Sequence, residues 1–321
     1  MLKRKLFRRI IVATGALFAL FLIYLIPRES ATQLNNINQN LEYTFPNVLT
    51  SPIFLIDSNN FLAKAEVVVS TDEVEEKVKE LVQILIKDGI GSSRVPSGFK
   101  AIIPSETKIL SIEYENNLVK IDFSKELLEV KKELEEKVIE AIVFTVTSVD
   151  EVEKVIIYVE GEVLTKLPQT GINLPSTLDR SFGINKTFSI TSRRNINHVT
   201  VYFLNKHNDN YYYVPVTKFL NDDRNKINII IDQLTSSPIH NTNLMSFLNN
   251  QARLLAANEQ SDMMELTFNS YIFSDFEQRK ILEEVTRMIS LSIKDTYNIS
   301  TVSFIFDEQE IYKSVLKPLN N

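Results

Sequence analysis

The chain has no cysteine, no tryptophan, and only seven glycines, ten prolines and three histidines among 321 residues. Without cysteine there are no disulfides, thiolate metal sites, cysteine nucleophile or lipid-modified cysteine. With so few glycines a phosphate-cradling loop is not expected, and no G-x-S-x-G, Walker A or G-x-G-x-x-G pattern occurs. His198, His207 and His240 form no i,i+4 pair and no HExxH, whereas a zinc site needs several converging ligands. Hence no catalytic residue, no metal ligand and no cofactor site is expected. Low-complexity tracts are also missing, and 44% hydrophobic residues are enough for sizeable cores.

Charge is unevenly spread. The whole chain carries −6, yet Lys3, Arg4, Lys5, Arg8 and Arg9 crowd residues 1–9 with no acid among them. The remainder is therefore more acidic than the whole, which argues against nucleic acid and against an anionic membrane surface as partners. Residues 10–26 (IIVATGALFALFLIYLI) carry no charge. At 1.5 Å per residue they make about 26 Å of helix, the short end of a bilayer span. The basic flank predicts a single-pass membrane anchor with a cytoplasmic N-terminus and everything after it extracytoplasmic. A cleaved signal peptide is the competing reading, but Pro27-Arg28-Glu29-Ser30-Ala31 is a poor cleavage site.

Residues 27–52 are polar and Asn/Gln-rich, a linker. Two strands follow around Asp57-Ser-Asn-Asn60, then a helical stripe at Val74, Val78, Leu81, Val82 and Leu85. Lys108–Tyr114 turns through Asn116-Asn117 into Leu118–Phe123, a hairpin signal. A second helical stripe runs Leu134, Val138, Ala141, Ile142, Thr145 and Val149, before a strand from Lys154 that stops at Gly161. The same order returns later. Ile227, Ile230 and Leu234 repeat the spacing of Val78, Leu81 and Leu85; Met264, Leu266 and Phe268 repeat Val119, Ile121 and Phe123. Matching apolar registers over a whole domain indicate tandem duplication. The predicted architecture is α+β: two ββαββαβ domains, residues 53–165 and 198–321, each a sheet covered by helices. Residues 166–197, with Pro168, Gly171, Pro175 and Gly183, read as an interdomain linker.

The first repeat resembles the GerMN domain of sporulation and spore-germination proteins. The resemblance rests on Leu81–Gly89, Val95-Pro96-Ser-Gly98, Ile103-Pro104, Lys108–Ile112, Val119–Leu127 with Asp122-Phe123-Ser124, Ile142–Thr145 and Val155–Gly161. The second repeat resembles a degenerate copy, with Thr267 and Asn269 where the first has Asp122 and Ser124. The resemblance implies a bacterial envelope protein related to ring-building motifs, in which Pro96, Gly98, Pro104, Asp122, Phe123, Ser124, Thr145 and Gly161 are signature positions of structural character. It departs from the family's lipoproteins by offering an apolar span where they have a lipidated cysteine.

The expected function is thus a membrane-anchored, noncatalytic scaffold that binds envelope proteins or associates with itself. The alternative is an extracytoplasmic module binding a glycan or a small ligand, which a deep interdomain pocket would favour. A third reading, a hydrolase, requires Asp122, Ser124 and a distant histidine to converge. Capping of residues 125–128 by Ser124 is the simpler account of that pair. Asn185-Lys-Thr187 fits a glycosylation acceptor, a match of little meaning in a bacterial protein.

Overall fold

The computed structural model describes residues 49–236 and 242–316. The expected anchor at 10–26 lies outside them; among the described residues no helix is long and apolar enough to cross a membrane. The first half opens with an antiparallel pair, β1 (Thr50–Ile56) and β2 (Leu62–Val68), followed by α1 (Val74–Leu85). Then come β3 (Ile109–Glu115), β4 (Leu118–Phe123), α2 (Lys132–Val146), β5 (Lys154–Val159) and the two-residue β6 (Glu162–Val163). After β7 (Thr187–Ser189), the second half repeats the order: β8 (Ile196–His207), β9 (Asn210–Asn221), α3 (Lys226–Thr235), β10 (Leu254–Gln260), β11 (Met263–Phe268), α4 (Glu283–Tyr297), β12 (Thr301–Phe306) and β13 (Gln309–Val315).

Each half therefore reads ββαββαββ, one strand more than the pattern predicts. The extra strand closes a two-residue hairpin whose central residues both have positive φ: Glu160 and Gly161 (53° and 82°) in the first half, Asp307 and Glu308 (51° and 60°) in the second. That is the backbone of a type I′ turn, which relieves strand twist but favours Asn and Gly. The second copy makes it without either residue, so no turn signal announces β13.

The two copies share fine detail. β3–β4–β5–β6 and β10–β11–β12–β13 are four-stranded sheets in which the middle pair is parallel and the outer pairs antiparallel. Both carry a bulge at the matching place, between Ile109 and Ser111 and between Leu254 and Ala256. In both, a helix hydroxyl serves the first strand's backbone. Thr145 Oγ1 accepts the Phe54 N–H at 3.1 Å, and Ser292 Oγ accepts the Tyr202 N–H at 2.9 Å. β1 and β8 pair on only one edge, so these outward N–H groups have no strand to bond; buried, they need another acceptor. Thr145 and Phe54 are fully enclosed (0% and 1% exposed). Thr145→Val keeps the shape and removes the acceptor. It is expected to cost about 1–3 kcal/mol, measured as a shift in the denaturant midpoint; no shift would show that the Phe54 N–H finds another partner.

The opening hairpins of the two halves do not stand apart. β2 pairs antiparallel with β9 at Lys64↔Tyr213, so β1-β2-β9-β8 forms one sheet across the duplication, with β7 parallel to β9 beyond β2. Asp57 follows β1 and Asn205 stands near the end of β8; they bond each other at 3.1 Å, with the Tyr212 hydroxyl donating to Asp57 at 2.8 Å. Equivalent strands pairing antiparallel, with equivalent residues meeting, is the pattern of an isologous dimer interface.

Residues 166–197, read as a linker from their prolines and glycines, pack tightly. Leu167, Leu174, Leu178 and Ile184 join the first core, and Thr187–Ser189 adds β7 to the shared sheet. Two cores result, one per half, with Ala63 of β2 contributing to the second.

Candidate functional site

Beyond the shared sheet, a buried splint joins the halves and an open groove lies between them. The splint is Asn185. Pro215, opposite Leu62, cannot extend the β2–β9 ladder because it has no N–H to give. The Asn185 amide fills the gap. Its oxygen accepts the Leu62 N–H at 2.9 Å, and its nitrogen donates to the Leu62 and Pro215 carbonyls at 2.8 and 2.7 Å. Asn185 sits at φ 47°, a left-handed conformation that Asn tolerates better than most residues, and is 7% exposed. Its side chain is occupied and enclosed, so the glycosylation-like match at 185–187 has no structural meaning.

Behind the splint lies Glu140, 3% exposed, whose carboxylate accepts the Asn185 backbone N–H at 2.9 Å. Lys186 stands 3.6 Å from Glu140 and 2.7 Å from Glu136. Burial raises the Glu140 carboxyl from 4.5 to about 7; Lys186 and the Asn185 N–H oppose the rise without cancelling it. An acid raised in the folded state binds its proton more tightly there than when unfolded. The stability it adds is complete below pH 4.5 and is lost as pH rises through about 7. Glu140→Gln keeps an acceptor for Asn185 and removes the titration. Relative to that variant, the natural protein is expected to lose about 3 kcal/mol or less between pH 5 and 8, read from denaturant midpoints across pH. Parallel profiles would refute the assignment.

The groove, about 890 Å³, lies between the halves. Alternation on β8 directs His198, Thr200 and Tyr202 to one face of the shared sheet, and on β2 it does the same for Lys64 and Glu66. One stripe of α4, Arg287, Leu291 and Lys294, with Asn298 just past its end, forms a wall, and the end of α2 with the turn at 179–181 forms the other.

Arg180 knits these parts. Its guanidinium donates to Asp295 of α4 at 2.6 Å, to Ser148 Oγ at 2.9 Å, and to the Phe144 and Thr147 carbonyls at 3.2 and 3.4 Å. It also lies 4.8 Å from the Phe144 ring centroid. A cation over the last carbonyls of α2 is favourably placed against the helix dipole. The Tyr202 hydroxyl donates to the other Asp295 oxygen at 2.6 Å. Burial would weaken the Arg180 charge, but Asp295 outweighs it and the guanidinium is held above its ordinary value. Burial first and Asp295 second push the Tyr202 hydroxyl well above its usual range, so it remains a donor.

The signature positions scatter and serve the backbone. Asp122 accepts the Gly161 N–H at 3.1 Å, fixing the β5–β6 turn. Ser124 Oγ accepts the Lys108 N–H at 2.9 Å and makes no cap bond to the 3₁₀ turn at Lys125–Leu128, contrary to the capping expectation. Phe123 is fully buried in the first core, and Thr145 holds β1. The Pro96 and Pro104 carbonyls close turns with Phe99 and Thr107. Gly98, at φ 91°, lies against the β8–β9 hairpin, where an added Cβ would stand 2.6 Å from the His207 ring. Among the described residues the hydrolase constellation does not assemble: His207 faces Gly98 and His198 packs beside Phe219, while His240 lies outside them. Among the described residues no cluster of acids and histidines could hold a metal.

Arg180 and Asp295 were not singled out by sequence reasoning, and Asn185 only as a glycosylation-like match. Arg180 and Asn185 fall in the segment taken for a linker, and their partners lie far away in sequence.

Residues 52–165 match the Germane family, "Sporulation and spore germination". The chain is 28% identical over 257 residues to the spore germination protein GerM of Bacillus subtilis (strain 168), covering 78% of this chain and 69% of GerM. The solved tandem GerMN domains of the B. subtilis sporulation protein GerM superpose with a TM-score of 0.76 at 24% identity, covering 85% of this chain and 98% of that one. With the internal repeat of strand order, bulges and helix hydroxyls, these matches show the fold of tandem GerMN domains and a likeness to the sporulation and spore germination family over residues 52–165.

Proposed function

We propose that the chain is a noncatalytic interaction scaffold of the cell envelope, tethered by residues 10–26 with its N-terminus in the cytoplasm and both GerMN domains outside. The observation that carries this reading is where the polar signature residues spend their hydrogen bonds. Asp122, Ser124 and Thr145 each serve a backbone N–H of the same domain, so they build a rigid frame and leave no convergent acid, base or nucleophile. The frame in turn offers partners open sheet edges. Among the described residues β10 and β13 each pair on one side only, with Leu255 and Tyr312 exposed along them. Such edges can take a partner strand by main-chain pairing, and two domains in tandem add avidity.

The test is cross-linking in native membranes followed by affinity purification and mass spectrometry. Specific envelope proteins recovered with the full chain, and lost when residues 53–321 are deleted, are the expected result. A clean bait would overturn the scaffold reading. The groove between the halves favours the second reading, a glycan- or small-ligand-binding module, which a clean bait together with saturable ligand binding would select.

A further inference from the structure

The two halves differ at one sheet edge. β3 and β10 are the matching outer strands of the two four-stranded sheets, and the first half covers its copy. There α1 begins at Val74, and its Glu75 carboxylate accepts the outward Tyr114 N–H of β3 at 2.9 Å. Val74 packs against the first core, and Ile112 and Tyr114 are half-buried. In the second half α3 begins only at Lys226. Aligning Ile227 with Val78 places Asp223 and Arg224 where the first half has Val74 and Glu75. Both are exposed, and Arg224 is taken up by Asp222 and Asp232. Every residue from Leu255 to Gln260 is left exposed.

The hairpin fixes which groups this bare edge presents. Gln260 and Met263 flank the β10–β11 turn, so Gln260, Asn258 and Ala256 bond inward to β11. Ala257 and Glu259 alternate with them and aim their N–H and C=O groups away from the sheet. Edges of this kind are ordinarily guarded by a lysine, a proline or a bulge. The bulge of β10 lies at its start, and Leu254–Asn258 carries no charge.

We propose that β10 pairs antiparallel with β10 of a second copy of this chain, about a two-fold axis at Ala257. The inference rests on the scaffold reading and names its partner. In that register Ala257 meets its own counterpart, Ala256 meets Asn258, Leu255 meets Glu259 and Leu254 meets Gln260. No like charges face one another, and the outward N–H and C=O of Ala257 are exchanged with those of its mate. A foreign strand needs a matching sequence of its own, whereas a second copy brings the match by symmetry. The contact is isologous, so it closes as a dimer in which two four-stranded sheets run on as one.

The chain has no cysteine, so Ala257→Cys introduces one thiol that another copy matches at the axis. Across a hydrogen-bonded pair the two Cα atoms stand about 5.5 Å apart, within disulfide reach. Mild oxidation of the full chain in native membranes is expected to link it into a dimer. The yield should exceed that of Ile90→Cys, an exposed site elsewhere, by about tenfold or more. In detergent micelles at about 100 µM, sedimentation should show the natural chain dimerising. Ala257→Lys or Ala257→Glu alone should weaken the dimer about tenfold or more, and an equimolar mixture of the two should recover it. Ala257 is exposed, and circular dichroism checks that the charged variants fold; if they do not, the thiol comparison decides. Equal linking of the two thiol variants, charged variants that dimerise like the natural chain, or a mixture no better than its parts would each overturn the proposal. Envelope proteins recovered with a chain that stays monomeric would sink this inference and leave the scaffold reading standing.

Discussion

Replacing Asn185 with glycine is expected to cost about 3 kcal/mol or more of unfolding free energy. Glycine is the informative choice because it accepts φ 47° freely, so the loss reports on the amide and not on backbone strain. Three buried backbone groups, the Leu62 N–H and the Leu62 and Pro215 carbonyls, lose their partner at once. Each orphaned group is worth about 1–3 kcal/mol, and a water entering the vacated space would return only part of that. The loss should be concentrated where the halves meet. Amide exchange is expected to accelerate in β2 and β9 more than in the β4–β5 or β11–β12 pairs. A loss below about 1 kcal/mol with uniform exchange would show that the β2–β9 contact holds without its splint.

Arg180→Met is the second large effect, at about 3–5 kcal/mol. It leaves Asp295, whose side chain is only 6% exposed, as an enclosed charge with no cation beside it, and it uncovers the last carbonyls of α2. The diagnostic result comes from the double variant. Adding Asp295→Asn removes the stranded charge while keeping an acceptor for Tyr202, and should restore a good part of the loss. If the double variant is no better than Arg180→Met, the carbonyl contacts and not the ion pair carry the effect. Arg180→Lys should not rescue: an ammonium cannot reach Asp295, Ser148 and two carbonyls in one geometry.

Much of the fold could be read from the residues. Alternation in Leu118–Phe123, helical stripes such as Val78, Leu81 and Leu85, and their recurrence in the second half disclosed a duplicated α+β domain, because local periodicity and burial share one cause. Helix ends followed the same logic. The stripe through Thr145 becomes α2, and Val149 packs just past its end. β13 escaped because Asp307-Glu308 makes a type I′ turn without the residues that advertise one.

What the amino-acid sequence by itself determined is therefore the repeating unit: its strands, its helices and the face each buries. Only the tertiary structure decided how the units join. The shared sheet, the Asn185 splint under Pro215 and the Arg180–Asp295 pair connect residues from 30 to 149 positions apart. Hydrogen bonds and ion pairs of that kind leave no periodic trace, since neither partner's neighbours in the chain take part. The groove exists because of those long-range contacts.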